Sequence, residues 1–150
     1  MRIGHVHLKV ADLDRALAFY CDRLDFTVQG RIGDQAAFLS GDGDYHHHIG
    51  LNTFESAGGE PPAPGTTGLY HVAIVYPSRE ALAKAADKVR DQITHGSDHG
   101  ANEAVYLSDP DGNGIELYWD RPTHEWPRTP DGSLALVNLP LDVDALLSAA

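Results

Sequence analysis

The sequence predicts an α+β fold of two βαβββ modules, a curved, cup-like mixed sheet with the helices outside. Three observations carry this expectation. Ile3-Gly4-His5-Val6-His7-Leu8-Lys9-Val10 lies over Leu69-Tyr70-His71-Val72-Ala73-Ile74-Val75-Tyr76. With a one-residue slip, Ala16-Leu17-Ala18 lies over Ala81-Leu82-Ala83. Each copy also runs from an alternating stretch into one of helical period, then into short strands broken by glycine and aspartate.

Taken in order, Val6, Leu8 and Val10 form the apolar face of a first strand. Leu13, Ala16, Leu17, Tyr20 and Leu24 then sit at helical spacing behind a capping Asp12. Short strands follow near Thr27-Val28, over 36–39 and over 48–53, separated by Gly30, Gly33 and Gly41-Asp42-Gly43-Asp44. In the second copy Val72, Ile74 and Tyr76 alternate, and Ser78 caps a helix striped by Ala81, Leu82, Ala85 and Val89. Its remaining strands read at 92–94, 104–107 and 115–119. Module one therefore spans about 1–56, a Gly- and Pro-rich linker 57–67, module two about 68–120 and a tail 121–150, all within one domain. The tail is polar over 121–132 and ends in a short helix over 142–150.

Composition narrows the function classes. A chain of 150 residues with 42% hydrophobic residues buries a single core. Its formal charge of −11 argues against nucleic acid or an anionic membrane as partner. No apolar run has the length of a membrane span, and no signal peptide opens the chain. The lone Cys21 fits a reducing compartment, so a cytoplasmic location is expected.

Strand alternation decides which side chains share a face. With Val6, Leu8 and Val10 toward the helix, His5 and His7 point the other way, and His71 does the same in module two. Ile115, Leu117 and Trp119 take the helix side of the last strand, leaving Glu116 opposite. The same count puts His48 and Gly50 on the open side, and Tyr106 on the face of Ala104 and Ser108. His5, His71, Glu116, His48 and Tyr106 are thus expected to face one concave surface. His5 and His71 are 66 positions apart, and 66 positions before Glu116 stands Gly50. The repeat keeps a histidine in both copies and a carboxylate in only one, so His5, His71 and Glu116 are the expected metal ligands. Two imidazoles and one carboxylate leave about half of an octahedral ferrous ion open.

Other polar clusters have plainer readings. In His46-His47-His48, alternation sends His48 inward, allows His46 there too, and sends His47 to the far face or solvent. His7, which has Ala73 as its counterpart, reads as cavity lining. Asp109-Pro110-Asp111-Gly112-Asn113-Gly114 has partial calcium-loop spacing, but strands flank it, and a hairpin turn explains its glycines better.

The run His-Val-x-Leu-x-Val-x-Asp-Leu-x-x-Ala-x-x-Phe-Tyr from His5 to Tyr20, with Asp109 to Leu117 at the other end, resembles the vicinal oxygen chelate superfamily. That group includes glyoxalases, extradiol ring-cleavage dioxygenases and antibiotic-resistance proteins, and the resemblance covers about 1–122. It implies that His5, His71 and Glu116 bind the metal, and that Gly50 stands where glyoxalase-like members place a fourth, acidic ligand. That departure points to the extradiol branch. There the resemblance implies that Tyr106 and His99 contact substrate and that His48 acts as acid and base. It further implies iron(II), with manganese(II) or another divalent metal as alternative, a catechol-type diol and dioxygen as substrates, and a homodimer. Tyr118-Trp119-Asp120-Arg121-Pro122 is similar to small one-domain relatives of catechol 2,3-dioxygenase. The alternative activity is a glyoxalase-like isomerase or thiol transferase with another metal. A metal-free drug-binding protein would have no use for the two histidines and the glutamate.

Overall fold

The computed structural model describes all 150 residues, Met1–Ala150. The chain forms two compact units, one comprising Met1–Gly68 with Asp109–Asn113, the other Leu69–Ser108 with Gly114–Ala150.

In unit one, β1 (Val6–Lys9), β2 (Thr27–Ile32), β3 (Ala36–Ser40) and β4 (Ile49–Asn52) form a sheet in the order β1-β4-β3-β2. β1 and β4 run parallel and the other pairs antiparallel. Leu8, Val10, Leu39, Ile49 and Leu51 are buried on the apolar faces that alternation assigns. β2 is the exposed edge, and an irregularity between Val28 and Gly30 breaks its register, as edge strands commonly do. Asp12 caps α1 (Leu13–Leu17), its Oδ1 accepting the Arg15 N–H at 2.9 Å. The helix does not continue as α to Leu24, as the spacing predicts, but widens into a π-helix over Ala18–Arg23. The wider turn brings two successive rings, Phe19 and Tyr20, into the core, perpendicular and 5.0 Å apart.

In unit two, β5 (Val72–Tyr76), β6 (His95–Asp98), β7 (Asn102–Ser108), β8 (Gly114–Asp120) and β9 (Leu139–Pro140) form a sheet in the order β5-β8-β7-β6-β9. Only β5 and β8 pair in parallel. Ser78 caps α2 (Arg79–Lys88), which buries Leu82, Ala83, Ala85 and Ala86, with Val89 just beyond. α3 (Val143–Leu147), capped by Asp142, buries Leu146. Two expectations need correction. The strand read at 92–94 lies at His95–Asp98, because Thr94 instead turns onto the Tyr106 carbonyl through both its N–H and its hydroxyl. The tail also supplies a strand: β9 pairs Leu139 with Asp98 and Pro140 with Ser97, covering the β6 edge. No helix is long and apolar enough to cross a membrane.

Candidate functional site

The parallel strand pairs place the repeat-related positions in matching register. His7 faces Gly50 across β1 and β4, and Ala73 faces Glu116 across β5 and β8. Each unit thus pairs one large polar side chain with one small residue, but from opposite strands. The His7 ring fills the space above Gly50: a Cβ there would lie 2.7 Å from Nδ1, 2.8 Å from Cγ and 2.9 Å from Cε1. Asn52 holds the ring by donating to His7 Nε2 at 3.0 Å, its own Oδ1 being taken by the Phe54 N–H.

In unit two, His71 Nε2 lies 2.9 Å from Glu116 Oε2, and Glu116 is 7% exposed. Two donor atoms bound cis to one octahedral ion at about 2.1 Å are about 3.0 Å apart, so this pair has the spacing of one ligand edge. His71 Nδ1 is buried without a hydrogen-bond partner, which leaves the ring held through Nε2. The Tyr106 hydroxyl lies between two acceptors, Glu116 Oε1 at 3.0 Å and His99 Nε2 at 2.8 Å, and its one proton serves one of them at a time. Burial, reinforced by the Glu116 carboxylate, pushes the Tyr106 phenol well above its ordinary value, so it stays protonated and can donate. His99 Nδ1 is 2.9 Å from the Val137 carbonyl, which can only accept, so Nδ1 carries a proton. His95, absent from the sequence reading, stacks on Tyr106 at 4.6 Å and 11° from its directly paired position. Placing β6 three residues later would have found it by alternation.

Unit one contains His5 and a group of planar side chains. His5 is exposed, and His47 lies against it with ring centroids 4.2 Å apart and the planes tilted by 44°. Phe38 meets His47 at 5.1 Å and His7 at 5.9 Å, both edge-on. His46 Nδ1 and His47 Nδ1 are 2.6 Å apart, so one donates to the other. Phe38, His46, His47, Gln29 and Gly30 line an open cavity of about 470 Å³. This corrects the expectation for the histidine run, since His47 is the member whose ring lies against His5. His48 turns to the adjoining loop, where Gly41 N–H donates to its Nδ1 at 3.2 Å and Nε2 lies 3.6 Å from Asp42 Oδ2. The bound N–H marks Nδ1 as the unprotonated nitrogen and leaves the proton on Nε2.

Within neither unit do three His, Cys, Asp or Glu side chains gather as a ready metal cage. The pair His71–Glu116 belongs to unit two and His5 to unit one. The Asp109–Asn113 segment is a hairpin turn whose carboxylate oxygens are engaged except for Asp111 Oδ2, which is buried without a hydrogen-bond partner. Asp109 accepts the N–H groups of Asp111 and Asn113, the Asn113 amide and the buried Tyr20 hydroxyl. Asp111 Oδ1 accepts from the Ala11 N–H and the Arg15 guanidinium at 2.8 and 2.7 Å.

The catechol-2,3-dioxygenase of Bacillus subtilis (strain 168) is 39% identical over 152 residues, taking in 99% of this chain and 52% of that protein. Biphenyl-2,3-diol 1,2-dioxygenase 2 of Rhodococcus globerulus is 29% identical over 145 residues, or 93% of this chain and 70% of that one. The chain therefore spans about half the length of the Bacillus relative. Among solved structures, a glyoxalase/dioxygenase from Nostoc punctiforme matches with a TM-score of 0.64 at 22% identity, over 81% of this chain and 92% of that one, a likeness of fold. The family model described as Glyoxalase/Bleomycin resistance protein/Dioxygenase superfamily matches residues 2–117, and this chain belongs to that superfamily.

Proposed function

We propose that the protein is an extradiol dioxygenase that opens a catechol-type ring with dioxygen, using iron(II) bound by His5, His71 and Glu116. The observation that carries this reading is the chain His71–Glu116–Tyr106–His99, in which one oxygen of the carboxylate is spaced for a ligand edge and the other is held by a phenol. Relatives named for catechol and biphenyl-2,3-diol support a vicinal aromatic diol as substrate. Iron(II), when bound, supplies open coordination positions and the redox chemistry that joins diol and dioxygen.

The remaining work falls to the protein's own groups. Tyr106, kept protonated, donates toward a substrate oxygen and spreads developing negative charge. His99, fixed by Val137, holds the phenol from its other side. Taking the diol proton and returning one on ring opening needs an acid–base group, the role we assign to His48. His47 is a second candidate for that role, because its ring lies against His5, with centroids 4.2 Å apart.

The reading is tested by purifying the protein without oxygen, measuring its metal and then following oxygen uptake with a panel of catechols. Iron or manganese in stoichiometric amount, with uptake matched by ring-fission product, is expected. Nickel or zinc together with oxygen-independent turnover of a thiol adduct would overturn it in favour of an isomerase or thiol transferase.

A further inference from the structure

The turn between β6 and β7 carries His99, and the guanidinium of Arg121 is spent almost entirely on that turn. Its Nη1 donates to Asp98 Oδ1 at 2.8 Å, to the Gly100 carbonyl at 3.1 Å and to the Asn102 carbonyl at 3.4 Å. Its Nη2 donates to Asp98 Oδ2 at 3.0 Å and to Glu103 Oε1 at 2.9 Å. The Arg121 backbone N–H adds a bond to the Ala101 carbonyl at 2.9 Å. These contacts bracket His99 on both sides. A lysine ammonium cannot reproduce the planar fork that makes them.

The C-terminal segment closes the same turn from above. Trp126 Nε1 donates to the Arg121 carbonyl at 2.7 Å, and the segment then passes over Gly100. Gly100 has φ +78°, and a Cβ there would lie 2.8 Å from Pro127 Cγ and 3.5 Å from Val137 Cγ2. The segment delivers the Val137 carbonyl to His99 Nδ1 at 2.9 Å, while the Val137 N–H donates back to the His99 carbonyl at 3.3 Å. A network that served stability alone would not need to end on one imidazole and set which of its nitrogens bears the proton.

We infer that Arg121 is a positioning residue, which clamps the Asp98–Asn102 turn so that His99 donates its Nδ1–H to the Val137 carbonyl and turns an unprotonated Nε2 to the Tyr106 hydroxyl. The catalytic meaning of this arrangement rests on the proposed dioxygenase reading, but the clamp itself does not. The test is therefore read first in the metal-free protein. With ¹⁵N-labelled histidine, long-range proton–nitrogen spectra report which nitrogen of His99 is protonated, and His99→Gln identifies its signals. The parent is expected to show a protonated Nδ1. In Arg121→Lys with unchanged circular dichroism, the His99 signals should shift toward an average of the two tautomers. Oxygen uptake by the iron-loaded variant should then fall roughly tenfold in kcat/KM at unchanged iron content, the scale of a lost supporting interaction.

Should Arg121→Lys not fold, Asp98→Asn breaks the same bidentate pairing from the other side and carries the test. An unprotonated Nδ1 in the parent, or parent-like His99 signals in a folded clamp variant, overturns the inference. A parent with the expected tautomer and no oxygen uptake on any catechol would instead count against the dioxygenase reading and leave the clamp standing.

Discussion

Replacing Gly50 with glutamate tests why this position is bare. The new Cβ would lie 2.7–2.9 Å from three atoms of the His7 ring, closer than side chains tolerate, so the ring must leave. That departure gives up the Asn52–His7 hydrogen bond, about 1 kcal/mol net, and adds an overpacking cost of about 1–3 kcal/mol. Relieving a strand glycine's entropy returns about 0.5–1 kcal/mol, which leaves G50E destabilised by roughly 1–3.5 kcal/mol. Removing the ring first changes the outcome. In H7A/G50E the module-one pair becomes a copy of the Ala73–Glu116 pair, and G50E should then cost less than about 1 kcal/mol. Denaturant unfolding of parent, H7A, G50E and the double variant, all metal-free, yields the coupling energy directly. An equal cost of G50E with and without His7 would refute the packing argument. The same double variant addresses the open coordination position. Loaded with iron, it should hold the metal at least as well as H7A and consume far less oxygen with a catechol. Oxygen uptake at the H7A rate in a folded, iron-loaded double variant would sink the view that a second carboxylate, as a fourth ligand, blocks the reaction.

Four further outcomes are expected. H5A, H71A and E116A should each lose stoichiometric metal while remaining folded, and full metal content by elemental analysis in any of them removes that residue from the ligand set. H48A should lower ring cleavage by about 10²-fold or more if it is the acid–base residue; a larger loss in H47A would transfer the role to the ring beside His5. Light scattering at micromolar concentration should give a homodimer, and a monomer would contradict that assembly. Hydrogen bonding from Arg121 holds Asp98 below the usual carboxylate value. A depressed folded-state pKa stabilises fully above the unfolded value near 3.9, and that stability is lost as pH falls through the folded-state value. Urea midpoints of parent and D98N should therefore differ most near neutrality and converge below about pH 4, and a gap that does not change with pH would contradict this.

Alternation reaches Tyr106 and Glu116 because they lie inside regular strands, whereas His5 and His71 each sit one residue ahead of β1 and β5. Tyr106 and Glu116 fall on one face by counting along their strands, and β7 and β8 pair those two residues directly. The register of Gly50 against His7, and of Glu116 against Ala73, follows the 66-residue repeat. Counting failed where local conformation depends on distant partners. His46–His48 precede β4 in irregular backbone, so a period of two had no hold on them. β6, with the sequence His-Gly-Ser-Asp, has little intrinsic strand preference and is defined by pairing with β7 and β9. β9 contains a proline and is only two residues long, so nothing local marks it as a strand. The π-helix arises from burying Phe19 and Tyr20 together, a tertiary demand that helical periodicity does not reveal.

The Asp109–Asn113 turn bears on the order in which the protein is made. It links β7 to β8, yet it is counted in unit one, where it receives the Tyr20 hydroxyl, the Ala11 N–H and the Arg15 guanidinium. A ribosome that has released module one and the linker has not yet supplied these acceptors, so a buried phenol and a backbone donor wait unpaired through some forty further residues of synthesis. Closing a loop of 100 residues adds entropy cost only slowly with length, but contacts this remote in sequence form late and slow folding. Residues 1–68 made alone should therefore be loosely packed around Tyr20, and adding a peptide with the 109–113 sequence should tighten them. The two halves of the repeat are thus not interchangeable beads on a string: the first matures only after most of the second has been translated.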